Sequence, residues 1–364
     1  MAVPDRTLAI TQARRLLLQE RSASATSALA PWLQRGWQRC QAWGLEPGQR
    51  VGFDAVSAAR IRQVQEASAP LVQAARPVLA ELVRAMGNIG YFAILTNAEG
   101  IVIDVHGPVD RSDRRADVIA RVGVDLSERA VGTTAISAAL SELQPVWLHR
   151  GEHFFEDTSV YSCAGAPVFG PDGLCAGMLD LTGIEVSERP ALKHLVRRSA
   201  RSIENSWLLA SPHALTLRLN WPGNQPGDDS DGLLTLDADG RITGANPTAR
   251  QMLSLDAGTG GSHASDVFAM PWENLFDAAR REEGHCEVPL WSGLRLQTQA
   301  HRSRNASPAH SVTRSSGKAL RDVETELIRQ AVVKARGNVA EAARSLGISR
   351  ATVYRKLGSG KMTG

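Results

Sequence analysis

The 364-residue sequence has few of the residues that build metal, redox and membrane sites. It contains only four cysteines, Cys40, Cys163, Cys175 and Cys286, with no C-x-x-C pair, so neither a disulfide framework nor a structural zinc site is expected. No apolar run approaches the roughly 18 residues of a membrane span, and the N-terminus lacks the basic-then-apolar pattern of a secretion signal. We therefore expect a cytoplasmic protein that binds no membrane, no metal and no cofactor.

An excess of charge of one sign is also missing from the chain as a whole, whose formal net charge is only +3. Residues 320–361 are different, because they hold nine Lys and Arg against four Asp and Glu, and nine minus four leaves five positive charges. A local basic excess of this kind is typical of a nucleic-acid-binding module. DNA binding is therefore predicted for the end of the chain only.

Residues 338–357 predict two short helices joined by a tight turn. Asn338 is a favourable N-cap with Glu341 at the capping-box spacing, and Gly347 ends the first helix because it tolerates a left-handed turn. Ser349 caps the second helix, and an apolar seam joins the two. This is the pattern of a helix-turn-helix, whose second helix enters the major groove of DNA.

The polar side chains of this motif predict the contacts to DNA. Arg pairs with guanine, Thr contacts a base or the thymine methyl group, and Lys neutralises phosphate. The predicted DNA-binding residues are Arg344, Ser349, Arg350, Thr352, Tyr354, Arg355 and Lys356. The alternative is a solvated basic helix on an ordinary helical hairpin.

A third helix, residues 320–336, precedes the motif. The combined pattern resembles the Fis-type DNA-binding domain that ends many bacterial transcriptional activators. The resemblance covers about the last forty-five residues. It implies double-stranded DNA as a partner and a homodimer formed through the leading helices.

Upstream of this module, apolar segments alternate with turns. Strands are predicted at 91–96, 101–105, 145–149, 162–169 and 174–181, with turns at 97–100 and 170–173. A helix is predicted from Gly132 to Leu140 and a long one from Leu192 to Leu209. Strands paired in hairpins with helices set apart predict an antiparallel sheet with helices on one side, which is an α+β fold.

The same region resembles the GAF domain of activators of acetoin and related catabolic pathways. The matching pieces are Ser127–Ile136, Gly151–Phe154, Cys163–Val168, Gly177–Gly183 and, in the leader, Gly36–Cys40. The resemblance implies a small-molecule effector, and Thr133, Thr134, Glu152, His153 and Cys163 are the candidate ligand-binding residues. Thr134 stands where that group carries Asn, so the ligand itself is not carried over.

Glu152, His153, Cys163 and Cys175 also permit a metal-binding or redox interpretation. On apolar strands a free cysteine behaves as a small buried hydrophobe, and His153 precedes two phenylalanines. We therefore favour structural roles for these side chains and small-molecule binding for the domain.

The remaining segments complete a multidomain α+β organisation. Residues 232–255 read as strand, turn, strand and helix and resemble the opening of a PAS domain, while the stretch that follows is weakly patterned. The predicted parts are a helical N-terminal region (1–87), a GAF-like antiparallel sheet with helices (88–210), a linker (211–231), a degenerate PAS-like module (232–299), a flexible basic linker (300–318) and the helix-turn-helix domain (319–364). The leader is either a dimerisation arm or a structural collar.

The phosphate loop G-x-x-x-x-G-K-[ST] is missing, since residues 258–265 have glycines but no lysine. The activators resembled here carry an AAA+ ATPase before the DNA-binding domain, so we expect no ATPase activity from this sequence. The favoured function is a sequence-specific transcriptional regulator that responds to a small-molecule effector or a partner and acts either through RNA polymerase or by occupying its operator. The alternatives are a Fis-like architectural DNA-bending protein, a modulator of a full-length sigma-54 activator, and an enzyme, which no paired carboxylates or nucleophile motif supports.

Overall fold

The computed structural model describes residues 6–20, 29–87, 89–258, 261–281 and 284–303, together with Val339 and Ala343. The chain divides into two compact units, residues 1–306 and 307–364. The first unit contains two antiparallel five-stranded sheets. None of the helices in the described ranges combines the length and apolarity needed to cross a membrane.

The first sheet has the strand order β2-β1-β5-β4-β3. Its strands are β1 (Tyr91–Asn97), β2 (Val102–His106), β3 (Val146–His149), β4 (Tyr161–Phe169) and β5 (Cys175–Ile184). All five predicted strands are thus confirmed to within a few residues. The turn after β1 forms as expected, because the Asn97 side chain accepts hydrogen bonds from the backbone N–H groups of Glu99 and Ile101 and Gly100 takes the left-handed conformation (φ 88°).

Helices cover both faces of this sheet, so the prediction of helices on one side is wrong. One face packs against α3 (Ala58–Met86) and α7 (Leu192–Ala210). The other packs against α2 (Pro31–Ala42), α4 (Arg114–Ile119), α5 (Glu128–Val131) and α6 (Ala135–Glu142). Side chains along β1 alternate between the two cores. Phe92 and Ile94 belong to the core on the side of α2, α4, α5 and α6, and their neighbours along the strand belong to the core beneath α3 and α7. Both faces are therefore apolar, and the strands read as continuous hydrophobic runs.

The long helix α3 begins after Ser57, whose side chain accepts a hydrogen bond from the backbone N–H of Arg60. Asp54 lies before the helix, in a segment where the neighbouring Ala55 forms a β-bridge with Val124. The helix continues through Pro70 and Pro77. Both prolines lie on its exposed side, where water can bind the carbonyls that they leave without a partner.

The leader packs on the face of the sheet opposite to α3. Helix α1 (Arg6–Arg14) continues as a π-helical turn (Arg15–Gln19), and α2 follows after residue 30. Their buried side chains, including Ile10, Leu33 and Trp37, join the core formed by α4, α5 and α6. In the described residues the leader therefore has the packing of a structural collar, while a role in dimerisation stays a prediction.

The second sheet has the strand order β8-β7-β6-β10-β9. It consists of β6 (Leu215–Asn220), β7 (Gly232–Leu236), β8 (Ile242–Ala245), β9 (Cys286–Pro289) and β10 (Arg295–Arg302), accompanied by α8 (Pro247–Leu253), α9 (Ala264–Val267) and α10 (Glu273–Arg280). The predicted strand, turn, strand and helix from residue 232 are confirmed. The central strand β6 lies within the segment predicted as a linker, because the alternating Leu215, Leu217 and Leu219 are all fully buried.

Asn246 joins three parts of the first unit. Its side-chain oxygen accepts hydrogen bonds from the backbone N–H groups of Leu233 (3.0 Å) and Ala249 (2.8 Å), which caps α8. Its amide nitrogen donates to the Asn205 side chain on α7 and to the carbonyl of Asp231, both at 2.9 Å. One buried side chain thus links α7 to the second sheet.

We predict that Asn246→Ala lowers the free energy of unfolding by about 3 kcal/mol, because it removes a helix cap and leaves several buried backbone groups without partners. The exposed Asn224 supplies the control, and Asn224→Ala should change stability by less than about 0.5 kcal/mol. Chemical denaturation followed by circular dichroism measures both. Equal effects of the two substitutions would contradict the proposed role of Asn246.

Candidate functional site

A cavity lies between the first sheet and the helices of the leader side. The space not occupied by atoms at this site, part of it open to solvent, is about 360 Å³. Most of its wall is apolar and comes from Phe53, Ile94, Ile119, Leu126, Val131, Ala135 and Ile136. Its polar wall comes from Thr134, His153, Thr158, Tyr161, Cys163, Asp180 and Thr182. An apolar cavity with a few polar groups is the usual form of a small-molecule site.

Asp180 is the most unusual group in this cavity. The period of two along β5 places Met178, Asp180 and Thr182 on the cavity side and Leu179 and Leu181 on the α7 side. Asp180 is fully buried, and its Oδ2 accepts a hydrogen bond from the Thr182 hydroxyl, whereas its Oδ1 has no partner among the described residues. Burial raises the pKa of Asp180 to about 7, because the charged carboxylate is costly away from water.

His153 is the second buried group with an unused atom. The side chain is 1% exposed, and its Nδ1 lies 2.9 Å from the carbonyl oxygen of Arg150. A carbonyl can only accept, so Nδ1 carries the hydrogen and Nε2 is an acceptor. No described residue donates to Nε2. Burial lowers the pKa of His153 to about 4, so the imidazole is neutral at physiological pH.

Cys163 contributes a protonated thiol to the same wall. Its Sγ lies 3.5 Å from the Thr182 hydroxyl oxygen. Burial, with a smaller effect of the nearby Asp180, raises the pKa of the thiol well above its usual value. A thiol in this state is a poor nucleophile. The described residues contain no group of three or more His, Cys, Asp or Glu placed to hold one metal ion.

Thr134 lines the cavity, but its hydroxyl caps α6. Its oxygen accepts a hydrogen bond from the backbone N–H of Ser137, and the Ser137 hydroxyl accepts one from the backbone N–H of Thr134. Asn is an equally good N-cap. The departure from Asn at this position therefore preserves the local structure.

Thr133 does not line the cavity and faces α2 instead. Its hydroxyl donates to Glu128 Oε1 at 3.1 Å and lies 3.3 Å from Cys40 Sγ, and Glu128 forms an ion pair with Arg39. A Cβ atom at Gly36 would lie 2.7 Å from the Thr133 side chain, so α2 can approach this closely only with glycine there. The leader residues Gly36–Cys40 thus support the wall of the cavity.

Glu152 is also outside the cavity and binds the first helix. Its carboxylate accepts two hydrogen bonds from Arg6 Nη2, at 2.6 and 2.8 Å, and one from the backbone N–H of His149 at 2.7 Å. Arg14 donates to the carbonyl oxygens of Gly151 and Phe154 at 3.0 Å and of His153 at 2.5 Å. Helix α1 therefore fixes the loop that carries His153.

The structure brings together three of the five predicted ligand-binding residues, Thr134, His153 and Cys163, and places Thr133 and Glu152 in supporting networks. Sequence reasoning did not select Asp180. Its signal was a single carboxylate in the apolar run Gly177–Gly183, in register with the strand's buried positions. The predicted DNA-binding residues, Arg344, Ser349, Arg350, Thr352, Tyr354, Arg355 and Lys356, lie outside the described residues.

Comparison with families of known proteins gives two matches. Residues 319–358 match the family described as "Bacterial regulatory protein, Fis family". Residues 9–205, more than half of the chain, match the family "MimR, N-terminal domain". The chain belongs to this MimR N-terminal domain family.

The acetoin catabolism regulatory protein of Cupriavidus necator is 31% identical over 265 residues, which cover 70% of this chain and 38% of the relative. The propane 2-monooxygenase operon transcriptional activator MimR of Mycolicibacterium goodii is 28% identical, covering 49% of this chain and 30% of the relative. The chain thus spans less than half of the length of these relatives. The crystal structure of the E. coli DhaR(N)–DhaL complex aligns with a TM-score of 0.47 and 14% identity, over 75% of this chain and 99% of that chain.

Asp180→Asn should make the protein more stable than wild type at pH 8. The pKa of Asp180 is raised on folding. The contribution of the protonated acid to the free energy of unfolding is therefore complete below the unfolded pKa of about 3.9, and it is lost as pH rises through about 7. The neutral amide of Asp180→Asn avoids this loss. The free energy of unfolding of the variant should therefore exceed that of wild type by an amount that grows between pH 5 and pH 8, to on the order of 2–4 kcal/mol. Thermal unfolding of both proteins across this range measures the difference.

Glu204, whose pKa burial raises to about 8, titrates in both proteins and cancels in this comparison. The exposed Asp239 provides a matched control, since Asp239→Asn removes a carboxylate already in water. If the difference in stability between Asp180→Asn and wild type did not vary with pH, the raised pKa of Asp180 would be contradicted.

Proposed function

We propose that the protein is a sequence-specific DNA-binding transcriptional regulator whose N-terminal domain senses a small molecule or a partner. The observation that carries this proposal is the match of residues 319–358 to the Fis family of bacterial regulatory proteins. One relative is named a regulatory protein of acetoin catabolism and another a transcriptional activator of a propane 2-monooxygenase operon, which supports the same function here.

The sensor in this proposal is the first sheet with its cavity, as a GAF-like domain. Its support is the pair of buried polar atoms without partners, Asp180 Oδ1 and His153 Nε2, in an otherwise apolar wall. Buried polar groups in folded proteins are nearly always hydrogen-bonded, so two such atoms at one cavity are what a site for a polar ligand requires. An effector changes activity only if it binds two states of the protein with different affinity.

The second sheet in this proposal is a PAS-like module that serves as a spacer or dimer surface. Its strand, turn, strand and helix from residue 232 support the assignment, and β6 adds a strand from the preceding segment. The DNA-binding domain at 319–364 then acts as a homodimer on half-sites about 34–36 Å apart or at multiples of that distance. Regulation proceeds through contact with RNA polymerase or through occupancy of the operator.

Immunoprecipitation of the protein from its own cells, followed by sequencing of the bound DNA, tests the proposal. We expect sharp peaks that share a palindromic motif and that disappear when residues 318–364 are deleted. Equal binding to any duplex would contradict a specific regulator and favour an architectural DNA-bending protein. Peaks that survive the deletion would place DNA binding elsewhere in the chain.

Arg350→Ala should weaken binding to the operator by about 1–3 kcal/mol and relax specificity at one base pair, if Arg350 contacts a base. Arg355→Ala and Lys356→Ala should weaken binding to all sequences more evenly and reduce its salt dependence, because phosphate contacts carry no sequence information. Titration of operator and scrambled duplexes at several salt concentrations measures both effects. Identical behaviour of the three variants would contradict this division of roles.

A further inference from the structure

A second pocket lies away from the cavity, where the first sheet meets α7 and the start of α8. It has about 540 Å³ of space not occupied by atoms, part of it open to solvent. Its apolar wall includes Leu143, Pro145, Pro167 and Phe169 near the ends of β3 and β4, and Pro247 of α8. Pockets of this size between two parts of a protein are common small-molecule sites.

The charged side chains of this pocket all come from one face of α7. Arg201 lies one helical turn after Arg197, about 6 Å along the axis, and Glu204 follows about 4.5 Å further on. We infer that this pocket binds an α-amino acid with an apolar side chain, whose carboxylate pairs with Arg197 and Arg201 and whose ammonium group pairs with Glu204. The inference goes beyond the proposed function, because it assigns a site separate from the cavity and does not depend on DNA binding.

The two arginines supply a place for a carboxylate. Among the described residues, neither Arg197 nor Arg201 forms a hydrogen bond or a direct ion pair, although Arg201 has Asp228 and Glu204 in its surroundings. Like charges one helical turn apart repel each other. A carboxylate bound between the two guanidinium groups would relieve this repulsion and accept paired hydrogen bonds from them.

Glu204 supplies a place for the ammonium group. The residue is only 7% exposed, and its Oε1 accepts a hydrogen bond from the backbone N–H of Phe169 at 2.9 Å, whereas no described residue donates to Oε2. Burial raises the pKa of Glu204 to about 8, and the Phe169 N–H and Arg201 offset this effect only in part. A cation at Oε2 favours the carboxylate form. The ammonium group of an amino acid is such a cation, and it stands next to the carboxylate that the arginines bind.

The apolar wall determines the rest of the ligand. Leu143 at the rim of the pocket is 52% exposed and has a left-handed backbone conformation (φ 49°), which is uncommon for leucine. An aliphatic side chain placed against Leu143, Pro145 and Phe169 would remove apolar surface from water on both partners. A branched aliphatic amino acid is therefore favoured over glycine.

Leucine and three analogues test each part of the inference. At pH 7.5 leucine is a zwitterion, 4-methylpentanoate lacks its ammonium group, 3-methylbutylamine lacks its carboxylate, and glycine lacks its side chain. In a ligand-observed NMR titration of the full-length protein, leucine should bind with a Kd of about 10 μM to 1 mM, as expected for nine non-hydrogen atoms. Each analogue should bind at least about tenfold more weakly, because it leaves a charged or an apolar part of the pocket without a partner.

Variants locate the site and separate the two charges. Glu204→Gln keeps an oxygen for the Phe169 N–H, so it should weaken leucine at least about tenfold and change the affinity for 4-methylpentanoate less than about twofold. Arg201→Met keeps the apolar stem and should weaken both ligands at least about tenfold. Arg198→Met is the matched control, because Arg198 lies on the same helix but does not line this pocket, and it should change neither affinity by more than about twofold.

Several results would overturn the inference. These are no binding of leucine by the wild-type protein, equal affinities for leucine and 4-methylpentanoate, unchanged affinities in both Glu204→Gln and Arg201→Met, or an equal loss in Arg198→Met. Inorganic phosphate that binds as tightly as leucine and displaces it would indicate a general anion site instead. Circular dichroism reveals any variant that unfolds, and the ligand series on the wild-type protein then decides. The titration contains no DNA, so failure of specific DNA binding would reject the proposed function and leave this result standing.

Discussion

Burial of the first sheet on both faces is the constraint on which the rest of the structure depends. Helices α3 and α7 cover one face, and the leader with α4, α5 and α6 covers the other. Water is thereby excluded from both sides, so each polar side chain on these strands must find a partner within the protein. Thr182 does so with Asp180, whereas Asp180 Oδ1 and His153 Nε2 do not. At the cavity, two side-chain atoms of this core have no partner among the described residues, and Trp147 Nε1 on β3 is a third such atom away from the cavity.

The leader supports the wall of that cavity through contacts that lie outside it. Arg14 donates to three carbonyl groups of the loop that carries His153, and Arg6 forms an ion pair with Glu152 in the same loop. On the other side, Cys40 and Arg39 engage Thr133 and Glu128 beside α6. The five residues predicted to bind a ligand thus form two groups. Thr134, His153 and Cys163 face the cavity, whereas Thr133 and Glu152 support its wall. The division follows from which way each side chain points, which spacing alone does not determine.

Local patterns in the sequence predicted the strands, turns and long helices of the first sheet, because alternation and turn residues act over a few positions. Three features depended on distant partners and were missed. The alternating Leu215, Leu217 and Leu219 are a strand pattern, yet the Pro, Gly and Asp residues that follow favoured a linker. Asp180 required knowledge of the cavity on its side of β5. Helices on both faces were likewise missed, since apolar strands fit either arrangement until the leader's position is known.

Helix α7 belongs to two packing environments at once. Along the first sheet it contributes Val196, Ala200 and Ile203 to the core, and at its far end Asn205 is hydrogen-bonded to Asn246 while Leu208 packs so closely on Gly244 that a Cβ atom there would lie 2.5 Å away. A helix of 19 residues is about 28 Å long, so a tilt of about 5° moves its far end by roughly 2.5 Å. The second sheet would be carried along by such a tilt, because Asn205 and Leu208 hold it to the far end of α7.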